Sequence, residues 1–135
     1  MSLPILGVDN ILFAVGDLTQ ARVFYEAHLG LPVKFVVAEA GLVAYQLGEE
    51  EPGLLLRVQD IEPTPPRATP RVWLEVADAR AAAQQLEALS VPLLKEPWEV
   101  GTGWIVEIAD PWGNVIGLTD YLKAPQKARK PFGSQ

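Results

Sequence analysis

The chain has no cysteine, one histidine and one methionine among its 135 residues. Without cysteine there are no disulfides, thiolate metal sites or sulfur nucleophiles, a composition that fits a cytoplasmic protein. No apolar run approaches the roughly 20 residues of a membrane span. The N-terminal MSLPILGVDN has neither a basic region nor a long apolar core, so a secretory signal is not expected. Basic residues are also scarce where they would matter for nucleic acid. Up to Asp120 there are 17 acids against 7 lysines and arginines, and the other four cations fall in KAPQKARKPFGSQ. A folded body of that sign argues against a nucleic-acid partner, which needs a basic face. The acidity serves solubility first and would tolerate cationic ligands.

What is present is a repeated pattern. NILFAV (10–15) is rich in apolar residues and reads as a strand. Asp17 with Gln20 three residues on is an N-cap signature for a helix that Gly30 stops. VKFVVA (33–38), LVAYQLG (42–48) and GLLLRVQ (53–59) follow as strands. DIEPTPPRATP (60–70), with four prolines, can be only a linker. The order then returns: RVWLEV (71–76) as a strand, and Asp78 as the cap of an Ala-rich helix. An interrupted strand in VPLLKEPWEV (91–100) comes next, then GWIVEIA (103–109) and NVIGLTDY (114–121) around the turn DPWG. Asn10 lies 61 residues before Arg71, and Pro32 lies 60 before Pro92. The chain is therefore read as α+β, two tandem βαβββ modules, with module one at 7–59, the linker at 60–70 and module two at 71–121. Residues 122–135 read as a basic, flexible tail.

NILFAVGDLTQARVFYEAHLGLPV and IADPWGNVIGLTD, taken with the duplication, are similar to the vicinal oxygen chelate superfamily of glyoxalases, bleomycin-resistance proteins and extradiol dioxygenases. The resemblance covers about residues 7 to 121. It implies one domain whose mixed sheet curls around a cleft, and a homodimer with clefts shared between subunits. In the family's metal enzymes four positions around that cleft carry His, Glu or Gln. The matching residues here are Asn10, Leu55, Arg71 and Gly117, with Leu55 placed to within one residue. An amide, an aliphatic, a guanidinium and a bare backbone do not make a ligand set for a divalent cation. The fixed charge of Arg71 would repel one. No metal and no other cofactor is expected.

Alternation then assigns the cleft lining. Asn10, Leu12 and Ala14 should share the cleft face with Leu55, Arg57 and Gln59 in module one. In module two the same face should carry Arg71, Trp73, Glu75, Ile105, Glu107, Val115, Gly117 and Thr119. Such a lining, apolar with a few convergent polar groups, suits a small molecule. Plainer roles stay open. Trp73 could pack at a subunit interface, Arg71 and Glu75 could form an ion pair, and Glu107 could be solvated. His28 suits the helix C-terminus. Trp112 reads as an exposed or interface aromatic, while Trp98 and Trp104 could line the cleft mouth but are not placed by the sequence.

Three functions remain. The first is a metal-free protein resembling the bleomycin-resistance group that sequesters a planar or aromatic ligand between Trp- and Arg-lined walls. The second is a metal-independent lyase or isomerase using Glu75 or Glu107 as general base, with Arg57 or Arg71 orienting an anion. The third is a structural or regulatory dimer without a cleft ligand.

Overall fold

The computed structural model describes residues 6, 8–50, 52–66, 68 and 70–129. The duplication is visible in its strands. β1 (Asn10–Val15), β2 (Val33–Val37), β3 (Leu42–Tyr45) and β4 (Gly53–Val58) form one four-stranded sheet in the order β1-β4-β3-β2. β5 (Arg71–Glu75), β6 (Trp98–Val100), β7 (Gly103–Ala109) and β8 (Val115–Thr119) form a second in the equivalent order β5-β8-β7-β6. In each module the first strand runs parallel to the last and the remaining pairings are antiparallel. The register also settles the internal equivalence. Leu12 faces Leu55 across β1 and β4 as Trp73 faces Gly117 across β5 and β8.

Both helices start where the sequence places them. The Asp17 carboxylate accepts from the Gln20 amide at 2.7 Å, and Asp78 accepts from Ala81 at 3.0 Å. Each satisfies a donor that the first helical turn leaves without a backbone partner. α1 (Leu18–Arg22) runs on into a π-helical stretch, Val23–His28, in which the Leu29 amide reaches back five residues to Phe24. α2 (Ala79–Ala88) buries Ala79, Ala83 and Leu86 and packs on β7 and β8. The expected strand in 91–100 shrinks to Trp98–Val100. Pro92 and Pro97 lack the amide that a ladder needs, and Leu94 instead donates to the Glu107 carbonyl at 2.8 Å.

One core runs through both modules. Phe13, Val15, Phe24, Tyr25, Tyr45, Leu54 and Leu56 of module one belong to the same buried cluster as Leu86, Val106, Ile108, Ile116 and Leu118 of module two. A buried polar knot ties the modules at the DPWG turn. Asp110 accepts from the backbone amides of Trp112 and Asn114, both at 2.9 Å, from the Tyr25 hydroxyl at 2.9 Å and from the Asn114 side-chain amide at 2.7 Å. That same amide group donates to the Ala14 carbonyl on β1 at 2.8 Å. Burial first, and then the charge of Asp110, push the Tyr25 phenol far above its usual range, so it remains a donor. Trp112 is buried here, 1% exposed, which corrects the expectation of an exposed aromatic. It fits because Gly16 leaves room for it: a Cβ at Gly16 would stand 2.3 Å from the indole nitrogen. The linker is held to the turn by Thr64, whose hydroxyl donates to the Trp112 carbonyl at 2.7 Å.

After β8, Asp120 is fully buried and accepts from the first amide of α2 at 2.7 Å and from Trp104 at 3.0 Å. Of the stretch read as a tail, residues 122–129 carry a 3-10 turn at Pro125–Lys127, and Arg129 binds Glu75. Residues 130–135, and Arg67 and Thr69 of the linker, lie outside the described residues. No helix among the described residues is long and apolar enough to cross a membrane.

Candidate functional site

The alternation read from the sequence holds on the first sheet. Phe13 and Val15 are buried toward the core, while Asn10 is exposed and Leu12 is 54% exposed on the opposite face. Leu55 is half-buried and Arg57 exposed beside them. The register extends the Leu12–Leu55 row through Ala44 to Phe35, which is 49% exposed, so an apolar strip crosses all four strands. Asn10 donates to the neighbouring Asp9 at 3.3 Å.

The second sheet gathers the polar candidates. One nitrogen of Arg71 lies 2.7 Å from both carboxylate oxygens of Glu107, and its Nε donates to the Ala68 carbonyl at 2.9 Å. Trp73 donates its indole N–H to Glu107 at 2.8 Å. The Glu107 side chain is only 8% exposed, so it is a paired, buried carboxylate and not a solvated strand residue. Burial of that charge is tolerable because the guanidinium and the indole both donate to it. Arg71 pairs with Glu107, not with Glu75. Glu75 is held by Arg129, whose backbone amide donates at 2.8 Å and whose guanidinium donates at 2.7 Å.

Gly117 explains how Trp73 lies. A Cβ at this position would stand 2.3 Å from Trp73 Cδ1, so the ring crosses the strand directly over the glycine. The ring is nevertheless 49% exposed. Trp98 meets it edge-on, with centroids 6.4 Å apart at 66°, and Lys95 caps Trp98 at 4.0 Å. Trp98, which alternation alone left unplaced, shares this face through its pairing with Ile105. Trp104 is engaged elsewhere, under the Arg80 guanidinium at 4.2 Å. Gly117→Ala is expected to force the indole off its seat at a cost of about 1–3 kcal/mol, the usual range for overpacking. The readouts are the urea midpoint and a changed tryptophan emission. An unchanged midpoint and spectrum would mean that the ring does not need the glycine.

A metal does not fit these positions. Arg71 brings a cation, Gly117 brings no side chain, and Trp73 occupies the space above it. Among the described residues no group of three or more His, Cys, Asp or Glu could hold an ion. The chemistry available is an exposed indole face for stacking, next to an internally neutralised Arg–Glu pair.

No curated protein matches the chain in sequence. Solved structures do match in fold. Lactoylglutathione lyase from Agrobacterium tumefaciens is 20% identical, with a TM-score of 0.66 over 87% of this chain and 96% of that one. The fosfomycin resistance protein FosX from Listeria monocytogenes is 13% identical, with a TM-score of 0.70 over 86% and 93%. A glyoxalase/bleomycin resistance protein/dioxygenase superfamily member from Sphaerobacter thermophilus is 22% identical, with a TM-score of 0.70 over 87% and 99%. At these identities the likeness speaks for the fold. The family model for glyoxalase, bleomycin resistance protein and dioxygenase matches residues 7–118, all but the last residues of the two modules. With its duplicated βαβββ units, the chain belongs to the Glyoxalase/Bleomycin resistance protein/Dioxygenase superfamily.

Proposed function

We propose that this member is a metal-free small-molecule-binding protein that holds a planar or aromatic ligand against Trp73. One observation carries the reading: an indole, half-exposed and fixed by Glu107, occupies the space over Gly117. A rigid aromatic face loses little entropy when a flat ligand stacks on it. The ligand need not be an anion. Arg71, a candidate for orienting an anion, already binds Glu107. Glu107 and Glu75 are each held by an arginine, which makes both weak candidates for a general base and favours binding over catalysis. A homodimer accords with the apolar strip, whose Leu12 and Phe35 are 54% and 49% exposed.

Two measurements test this. Purified protein should carry no stoichiometric zinc, nickel, iron or manganese by elemental analysis, and one chelation-resistant ion per chain would overturn the metal-free reading. In a screen of heterocyclic and aromatic compounds read by tryptophan fluorescence, Trp73→Ala should weaken binding of the hits by about 2 kcal/mol, as for a central aromatic anchor. Glu107→Gln should leave no product-forming activity to lose. Hits indifferent to Trp73→Ala would remove the proposed site.

A further inference from the structure

The duplicated frame has two junctions between its modules, and only one of them is filled. At the first, the β7–β8 turn of module two closes on β1 and the helix of module one. Trp112 sits against Gly16, Asp110 binds Tyr25, and Asn114 binds the Ala14 carbonyl. The helix caps Asp17 and Asp78 lie 61 residues apart, and that offset carries Gly16 onto Ala77 and Tyr25 onto Leu86. The helix ends agree. The Tyr25 carbonyl accepts from Leu31 as the Leu86 carbonyl accepts from Val91, the residues before Pro32 and Pro92. At the second junction the β3–β4 turn LGEEEP (47–52) therefore takes the place of DPWGN (110–114), and it holds no aromatic residue.

What opens there is a cleft of about 930 Å³, within the size range of pockets that take small ligands. Gly48, Glu50 and Pro52 of that turn line one side, and Ala77, Leu86 and Leu122 line another. Burial records the missing ring. Phe13, Val15 and Ala21 are buried, whereas their counterparts Leu74, Val76 and Ala82 are only half-buried, and all three line the cleft. Apolar wall left in water is unfavourable in proportion to its area, so a molecule that covers it gains what Trp112 gains at the first junction. The polar side of the knot has no copy either. Tyr25 and Asn114 correspond to Leu86 and Pro52, so this part of the cleft is apolar where the knot is hydrogen-bonded.

We infer that the second junction binds a flat, apolar fused-ring molecule, of the size of an indole, in the place that Trp112 fills at the first. A rigid ring loses little freedom on entering such a slot. The cleft also reaches Trp73, four residues before Ala77, so it adjoins the face proposed above and shares that wall residue. The inference concerns the end at Ala77 and Leu86, and the test separates the two places. Ala82 lines the cleft from α2, whereas its neighbour Ala81 is exposed and lies outside the lining. The pair supplies a plug and its control.

The probe is the neutral naphthalene dye Prodan, displaced from the full chain by indole or by 1-octanol. Wild type should bind the dye saturably and release it to indole at a concentration about fivefold below that of octanol. That is the scale of one ring–ring contact, which Tyr121 in the wall can supply. Ala82→Phe should weaken dye binding by about tenfold or more, while Ala81→Phe should match wild type. Circular dichroism confirms folding, and if Ala82→Phe fails to fold, Ala77→Phe on the exposed wall decides. No saturable dye binding, binding unchanged in the plugged variant, or octanol displacing as well as indole would each overturn the inference. Binding kept in Ala82→Phe but lost in Trp73→Ala would put the dye on the exposed indole, which sinks the second-junction site and leaves the earlier reading standing. A dye expelled by Ala82→Phe and indifferent to Trp73→Ala supports the site whatever becomes of that reading.

Discussion

Replacing Asp110 with alanine is expected to destabilise the protein by about 4 kcal/mol or more, a large share of the 5–15 kcal/mol that holds a typical domain together. Its carboxylate is 4% exposed and accepts four hydrogen bonds. Alanine would leave the Tyr25 hydroxyl, two backbone amides and one proton of the Asn114 amide buried without acceptors. Each orphaned donor costs about 1–3 kcal/mol, reduced where water can enter the vacated space. The loss should appear in the urea midpoint. Tyr25→Phe, which removes one of the four donors together with its need, should cost far less. A fall below about 1 kcal/mol for Asp110→Ala would mean that the knot is not a structural tie.

Trp112→Ala should cost about 3–5 kcal/mol, the range for removing a large buried aromatic. The ring is 1% exposed and seated against Gly16. Its partner substitution is informative because the two share one space. Gly16→Ala drives a methyl to 2.3 Å from the indole nitrogen and 2.6 Å from the Ile61 carbonyl. In the double variant the first clash disappears and the second remains. The two losses should therefore sum to more than the double variant shows, with coupling above 0.5 kcal/mol. Strict additivity in urea unfolding would show that the glycine is not there for the ring.

These two sites mark where sequence reading stopped. The strands, caps and duplication were legible because they are local: Asp17 and Asp78 signal helix starts within three residues, and alternation assigns faces within five. DPWG was legible as a turn for the same reason. That its aspartate grips a tyrosine 85 positions earlier has no local signature. Trp112 read as exposed because turns usually are, and only a glycine on the other module makes room for it. At the candidate site, alternation correctly put Arg71, Trp73, Glu107 and Gly117 on one face, yet face membership does not say who pairs with whom. Arg71 could as well have reached Glu75, four residues along the same strand, as Glu107, 36 residues away. Arg129 took Glu75 instead, from a stretch with no periodicity to read.

The parallel pairing of β1 with β4 and of β5 with β8 has a consequence for synthesis and truncation. The opening strand of each module has no lateral partner within its sheet until the closing strand exists, so it joins a ladder only when a long loop has closed. A nascent chain that ends after Trp112 has made α2, β6 and β7 but leaves β5 with no strand beside it. Module two then lacks its second-to-edge strand, and α2 loses the Asp120 carboxylate at its first turn. Fragments ending there should emerge as protease-sensitive, aggregation-prone chains, whereas those ending just after Arg129 should resist digestion like the full protein.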